Sequence, residues 1–531
     1  MPNTIDVLGD ESVFYSIISG QEPEVIEDDV INIVGYYGLV HRSHLISVSF
    51  PAVTTISASA FSDCTELTTA YFPSVSTIGD YAFYRCSKLS NLSFPEATTI
   101  SASVFAYCSG LTAASFPKVK TIYQSAFAWC TSLTEAVFPS VSFVGSGAFA
   151  VCTSLTSVFL PSASIIGFSA FTGCNALTAI TLPEVQALSA TAFGGCDSLV
   201  SVSIPKVNQI ASSTFRECPL LKTVSAPLAG SIWGSAFYFC TGLESVDFPL
   251  VSIINGNAFD RCTSLTTLSF PELKIISGSY AFRSCTALEV VSLPSVTTIG
   301  SCAFQYCTSL KEINFPVVQT ISQSAFQGCT SLSIVSIPTV ISISSYAFAE
   351  CTGLISITIG SAAYSLGVSL FTGCTSLTTA SLIGSNMRYI PSGCFNSCTA
   401  LTSVTIGSSV YDIYPYAFRS CTALESIEFP YVGRISGSAF LNCTALTTVS
   451  FSKVAVLYSY AFQGCTSLES LYLLSSGVVN ISSGVLDNTP MVNSSYLGRY
   501  GSIYVNSKYV NSYKANASWA SLADRITAYI P

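Results

Sequence analysis

The stretch Ala60-Phe61-Ser62-Asp63-Cys64-Thr65-Glu66-Leu67 sets the frame for the whole chain. An Ala-Phe pair is followed by a Cys three residues after the Phe, and by a Leu three residues after the Cys. The frame returns as Ala82-Phe83, Cys86 and Leu89, then as Ala126-Phe127, Cys130 and Leu133. Far downstream it reads Ala461-Phe462, Cys465 and Leu468. Self-similarity at a fixed period in the twenties is the signature of a solenoid, whose repeats bury their apolar faces only against one another.

Outward from that stretch, the consensus is L-T-x-V-S-F-P-x-V-x-x-I-x-x-S-A-F-x-x-C-T-S. In Leu67-Thr68-Thr69-Ala70-Tyr71-Phe72-Pro73, Ala70 and Phe72 face one way while Thr69 and Tyr71 face the other, which is strand alternation. Pro73 ends the strand and forces an extended residue before it. Val75, Ile78, Ala82, Phe83 and Cys86 then read as inward-facing, with Gly and Ser between them to permit a tight return. Each repeat is one coil, with a strand on one side and a short turn or helical turn on the other. The expectation is an α/β-type repeat solenoid, an arc or rod with a parallel sheet on one face. It would hold about 19 full repeats of 22–24 residues, capped at both ends. At a strand spacing of about 4.8 Å it would be on the order of 90 Å long.

The period is 22 residues from Cys64 to Cys262 and slips to 23 at Cys285, where Tyr280 is inserted. Between Cys351 and Cys421 the steps are 23, 24 and 23, and Gly360, Gly384 and Gly407 replace the proline. A change of curvature or twist is expected at 355–420. Residues 1–28 read as an N-terminal cap segment, with a short capped helix ending at Gly20 and an acidic patch of Glu24, Glu27, Asp28 and Asp29. Residues 29–475 read as the solenoid, opening at 29–45 with a degenerate repeat. There Asp29, Ile31, Val34, Gly38-Leu39 and Leu45 keep the frame and Arg42 replaces the buried Cys, as suits a cap whose outer face meets water. Residues 476–531 read as a C-terminal cap. Leu471-Tyr472-Leu473 is a last strand before it, Ile503-Tyr504-Val505 a strand within it, and 506–514 and 519–526 its helical segments.

The chain has 531 residues, half of them hydrophobic and only 9% charged. Its mean hydropathy of +0.56 would suit a membrane protein. Yet no run of about 18 apolar residues occurs, so no transmembrane helix is expected. The net charge is −9, and the 20 Lys and Arg form no basic stripe, which argues against nucleic acid as a partner. Met1-Pro2-Asn3-Thr4-Ile5-Asp6 has neither a basic start nor an apolar core, so no Sec-type signal peptide is read. The chain is then a mature form, a cytosolic protein, or one that leaves the cell by another route, such as a phage particle released by lysis.

Nineteen of the 21 cysteines share one column, from Cys64 to Cys465. The column reads as small, weakly polar filler stacked layer on layer, with free thiols. One strand spacing between neighbours leaves disulfides open by distance alone. No CxxC pair exists and both histidines, His41 and His44, lie near the N-terminus, so neither zinc nor any other metal or cofactor is expected. No Ser-His-Asp or Cys-His arrangement and no phosphate-binding glycine motif is visible, so the chain reads as non-enzymatic.

The outward strand positions are small, as at Ser49, Ser115 and Thr181. Variation concentrates in two turn columns instead. Between Phe and Cys stand Tyr84-Arg85, Tyr107, Trp129, Tyr238-Phe239, Arg261 and Tyr306. Before Ala stand Tyr81, Tyr280, Tyr346, Tyr416 and Tyr460, among Ser and Gly. Tyr, Trp, Arg, Ser and Gly are the palette of adaptable recognition surfaces. The candidate ligand-binding ridge is therefore Tyr81, Tyr84, Arg85, Tyr107, Trp129, Tyr238, Phe239, Arg261, Tyr280, Tyr306 and Tyr346. The competing reading is drift at unconstrained turn positions, with the rings packed partly on their neighbours.

Motifs such as Ile78-Gly79-Asp80-Tyr81-Ala82-Phe83-Tyr84-Arg85-Cys86-Ser87-Lys88-Leu89 make the repeat resemble the BspA-like, or Treponema-type, leucine-rich repeat family. The resemblance covers about residues 29–475. The tail matches a closing segment common in such proteins at Ile503-Tyr504-Val505, Val510, Tyr513-Lys514, Trp519, Ala523 and Ile526, with Asn506 where that segment often has Pro. The resemblance implies a surface-exposed protein of gut or oral microbes that adheres to host proteins or other cells. Similar signal-less chains occur among phage tail genes of gut bacteria. It brings no catalytic residues. The expected function is thus recognition of a protein or glycan on a host or bacterial cell surface, by a cell-surface adhesin or a phage tail component. Its location would be extracellular, cell surface or virion. The alternative is a structural spacer without its own ligand.

Overall fold

The computed structural model describes residues 24–27 (backbone only), 40–41, 43–51, 53–492 and 500–530. The predicted helix before Gly20 and the degenerate-repeat positions from Asp29 to Leu39 and at Arg42 lie outside the described residues. The chain divides into two compact units, Met1–Leu265 and Thr266–Pro531.

In the first unit each coil carries a strand where the alternation places it, as in Thr69–Tyr71, Asn91–Ser93 and Ala113–Ser115. These strands pair in parallel with a shift of one repeat: Thr69 faces Asn91, and Glu135 faces both Ala113 and Ser157. Glu24–Glu27 adds a further parallel strand beside Leu45–Ser49. The inward set is buried as read: Leu67, Ala70, Phe72, Val75, Ile78, Ala82, Phe83 and Cys86 are each at most 1% exposed. Identical positions stack on identical positions. Phe61 and Phe83 lie 5.1 Å apart with planes 9° off parallel, and Phe127 and Phe149 lie 5.2 Å apart at 2°. This ring spacing is close to the distance between hydrogen-bonded strands, so the Phe column and the sheet share one rise.

A second sheet, absent from the sequence reading, lies after the proline. Two-residue strands such as Thr77–Ile78, Thr99–Ile100 and Phe143–Val144 join in a seven-stranded parallel array. The remainder of the coil is not helix, because its backbone alternates hands. Ser59 and Asp63 have φ of 58° and 59°, and Tyr81 and Arg85 repeat the pair. The N–H groups of Ser59, Phe61 and Asp63 donate to the carbonyls of Asp80, Ala82 and Tyr84 in the next coil, at 2.8, 2.7 and 2.7 Å. Those of Ala60, Ser62 and Cys64 fold back on Ser57, Ser59 and Phe61. Every second N–H therefore bonds along the solenoid, which an α-helix would direct into itself.

The cysteines are free thiols, and all but Cys302 are buried. Their column does more than fill space. The Sγ of Cys86 donates to the Phe61 carbonyl at 3.1 Å, and Cys108, Cys130 and Cys152 repeat the contact on Phe83, Phe105 and Phe127. Cys combines the size of a small hydrophobe with one weak donor, so it ties each coil to the preceding Phe. Burial pushes the thiols of Cys86, Cys108 and Cys240 up, and that of Cys218 to about 12, and so suppresses the reactive thiolate. Outside, Lys88–Glu66, Lys118–Glu96 and Lys206–Glu184 pair across one repeat at 2.6 Å.

The second unit repeats this plan with two changes. First, Gly replaces Pro and restores an N–H, so the strands lengthen. Ser356–Ile359, Thr379–Leu382 and Ser403–Ile406 are four residues each and pair in register. The N–H of Gly407 donates to Leu382 at 2.9 Å, and a Cβ at Gly360 would overlap the Pro338 carbonyl. Tyr280 is not the inserted residue, because it keeps the left-handed position before Ala281; the extra residue is taken up around Gly278, whose φ is 76°. Second, Leu471-Tyr472-Leu473 does not close the sheet. Ser470–Leu473 is followed by Ser502–Asn506 and then Ile526–Tyr529, all parallel. Ile526 thus begins a strand instead of ending a helix. A 3-10 turn (Ser507–Tyr509), a short helix (Val510–Lys514) and a 3-10 segment (Ala517–Arg525) link those two strands. They bury Tyr513 and Trp519, whose Nε1 donates to the Val479 carbonyl at 2.8 Å and so seals the core.

Candidate ligand-binding surface

Nine of the eleven candidate residues stand in two left-handed columns, and Tyr84 and Tyr238 directly precede the second of these. Tyr81, Tyr280 and Tyr346 stand at the first, and Arg85, Tyr107, Trp129, Phe239, Arg261 and Tyr306 at the second, all with φ between 58° and 66°. Gly173, Gly195 and Gly328 occupy the second column in other coils. A left-handed conformation costs an L-residue roughly 1–2 kcal/mol that glycine escapes. The geometry also aims these side chains away from the core: Tyr81, Tyr107 and Trp129 remain 46, 41 and 45% exposed.

Five of the predicted residues come together as one patch. Tyr81 meets Tyr84 edge-on at 5.6 Å, Tyr84 meets Tyr107 edge-on at 5.5 Å, and Tyr107 stacks on Trp129 at 5.8 Å with planes 9° apart. The Arg85 guanidinium lies 5.1 Å from the Tyr84 ring and 5.8 Å from the Tyr107 ring, while Asp63 balances its charge at 3.8 Å. The result is an amphipathic, weakly charged surface spread over several successive coils, whose rings are braced by one another.

Tyr238, Phe239 and Arg261 form a second patch in the same unit. Tyr238 and Phe239 are 5.2 Å apart, and Arg261 covers the Phe239 ring at 4.8 Å. Arg216, which the sequence reading passed over, covers Tyr238 at 5.4 Å. Val151, Gly173 and Gly195 hold the second column between the two patches, so the ridge of the first unit is interrupted. In the second unit the remaining three residues stand apart from one another. Tyr280 carries Arg283 at 4.3 Å. Tyr306 lies over Gly328, where a Cβ would come within 2.5 Å of the ring. Tyr346 is 40% exposed.

Among the described residues no cluster of three or more His, Cys, Asp or Glu side chains is placed to hold a metal ion, and no helix is long and apolar enough to cross a membrane.

Residues 32–156, 142–265, 208–332, 297–425 and 388–509 match the family described as "BspA type Leucine rich repeat region (6 copies)". The chain belongs to the BspA-type leucine-rich repeat family. No curated protein matches it. Among solved structures, this BspA-type chain is similar to a leucine-rich repeat protein from Bacteroides ovatus, at 22% identity over 84% of this chain and 89% of that one, with a TM-score of 0.30. It is also similar to a leucine rich cell surface protein from Faecalibacterium prausnitzii, at 22% identity over 81% and 92%, with a TM-score of 0.28. A leucine-rich repeat protein from Eubacterium ventriosum matches at 17% identity over 80% and 83%, with a TM-score of 0.25. In this BspA-type chain the recurring frame is the core, and most of the candidate residues that differ from coil to coil are left-handed.

Proposed function

We propose that this protein is a non-enzymatic recognition and adhesion module that holds a protein or glycan ligand across several coils of its turn surface. The observation that carries this reading is the patch of Tyr81, Tyr84, Arg85, Tyr107 and Trp129. Left-handed positions are where a repeat protein gains most from Gly or Asn, yet these coils place large, exposed aromatic and cationic side chains there. Rigid aromatic side chains beside an Arg supply contact area with little loss of conformational freedom on binding. The setting that suits such a surface is extracellular, on a host-facing cell or on a virion. The buried, protonated thiols suit it too, since oxidation attacks accessible thiolates.

The test is to replace Tyr84, Trp129, Tyr238 and Phe239 together with Ser and to measure capture of the full chain by host-cell and bacterial surface extracts. The expected result is loss of capture with an unchanged circular dichroism spectrum. Undiminished capture would remove the turn surface from the reading and leave a structural spacer. Labelling intact cells and purified phage particles with an antibody against the chain separates an adhesin from a tail component.

A further inference from the structure

Residues 388–460 carry a second aromatic surface that the turn columns do not include. It sits on the second sheet of the second unit, where Tyr389–Ile390, Asp412–Ile413, Arg434–Ile435 and Val456–Leu457 pair in register. The residue after each of these strands is Pro391, Tyr414, Ser436 and Tyr458 in turn. Tyr414 stacks on Tyr389 of the preceding coil, with centroids 4.7 Å apart and planes 2° off parallel. One face of Tyr414 is therefore covered. On the following rung Ser436 brings no ring, and on the rung after that Tyr458 does. Two rungs span about 9.6 Å. That is close to twice the Tyr389–Tyr414 spacing, so the rung at Ser436 leaves about the room of one further ring between Tyr414 and Tyr458. A cleft of ≈ 510 Å³ opens there, lined by Tyr414, Ser436, Gly437 and Tyr458, with Asp412 and Arg434 at its side.

The polar side of the cleft is held rigidly. Arg434 donates from Nε and Nη2 to Asp412 Oδ1 and Oδ2 at 2.6 and 2.7 Å, and the Asp412 side chain is only 14% exposed. The guanidinium also lies 5.7 Å from the Tyr411 ring, which rests over Gly433, where a Cβ would overlap it. The fork and the carboxylate thus present spare donors and acceptors side by side with no net charge. A charged ligand gains little from a neutralised pair. A ring with adjacent hydroxyl groups, each both donor and acceptor, matches it, and its C–H faces match the tyrosine rings.

We propose that this cleft binds carbohydrate, taking one hexopyranose unit of a neutral glycan between Tyr414 and Tyr458, with adjacent hydroxyls on Asp412 and Arg434. The site is separate from the turn patch and stands or falls apart from it. The experiment titrates the full chain calorimetrically with neutral hexamers built from glucose, mannose, galactose and N-acetylglucosamine, and with a Tyr- and Phe-rich peptide. Saturable binding of at least one sugar is expected. Ser436→Trp, which supplies a ring on that rung, should abolish it, and Tyr458→Ala should weaken it by about tenfold or more. Tyr84→Ser with Trp129→Ser should leave it unchanged. The proposal is overturned if no hexamer binds saturably, or if the peptide alone binds. It is equally overturned if Ser436→Trp and Tyr458→Ala both bind sugar as the unaltered chain does.

Discussion

The patch at residues 81–129 and the cleft at residues 412–458 are made of the same kinds of side chain and have opposite shapes. In the patch, Tyr84, Tyr107 and Trp129 stand on consecutive coils, so each ring meets the next and the surface is filled. In the cleft, Ser436 interrupts the series and a gap opens between Tyr414 and Tyr458. An in-register solenoid fixes the distance between equivalent side chains at one coil rise. One residue per rung then decides whether a surface is a ridge or a slot.

The comparison rests on that rise, and the largest effects come from attacking it. Burial holds thiols such as Cys218 and Cys351 protonated past their unfolded value, so above about pH 8.5 the folded chain binds more protons than the unfolded one. Stability should be flat below that pH and fall as pH rises toward the folded-state value of about 12 at Cys218 and Cys351, by up to about 1.4 kcal/mol per pH unit for each thiol. Thermal melts from pH 7 to 11 check this, and a flat profile would show that the thiols do not titrate with unfolding. Next in size is the Phe column. Phe127 stacks between Phe105 and Phe149 beside the patch, and Phe440 between Phe418 and Phe462 beside the cleft. Phe127→Ala and Phe440→Ala should each cost about 3–5 kcal/mol in denaturant unfolding. A loss below about 1 kcal/mol at either site would mean that the rise is set elsewhere.

Smaller effects sharpen the contrast. Trp129→Gly relieves a left-handed residue and should leave stability unchanged or raise it by about 1 kcal/mol, while ligand capture falls. A clear loss of stability would instead make Trp129 a packing residue. Lys88→Ala removes an exposed pair with Glu66 and should cost under about 1 kcal/mol, less still at high salt. Double-mutant analysis with Glu66→Ala measures that coupling, and a salt-independent value would contradict an exposed pair.

The core was legible because its signals are local. Phe83, Cys86 and Leu89 recur at short, constant offsets, and an apolar residue that recurs in every repeat has an inward position to fill. The ridge was legible only as variation: the residue types were on view at Tyr84, Arg85 and Trp129, but the interruption at Gly173 and Gly195 became decisive only when the rings were placed. The glycines of those columns did mark the left-handed backbone, yet they read equally well as a tight return. The cleft was hidden because its column reads Pro391, Tyr414, Ser436 and Tyr458, while the ring stacked on Tyr414 comes from Tyr389, a different position of the preceding coil.

By itself, then, the sequence determined the period, the inward set and the strand before each proline, because hydrophobic alternation and proline's missing N–H act within a few residues. The second sheet, the thiol-to-carbonyl ties, the alternating hand of the turn and the choice between ridge and slot were decided by tertiary structure. Each depends on what lies one coil away, some 22 residues distant in the chain, where hydrogen bonds and ring stacking act through space and leave no mark in local composition.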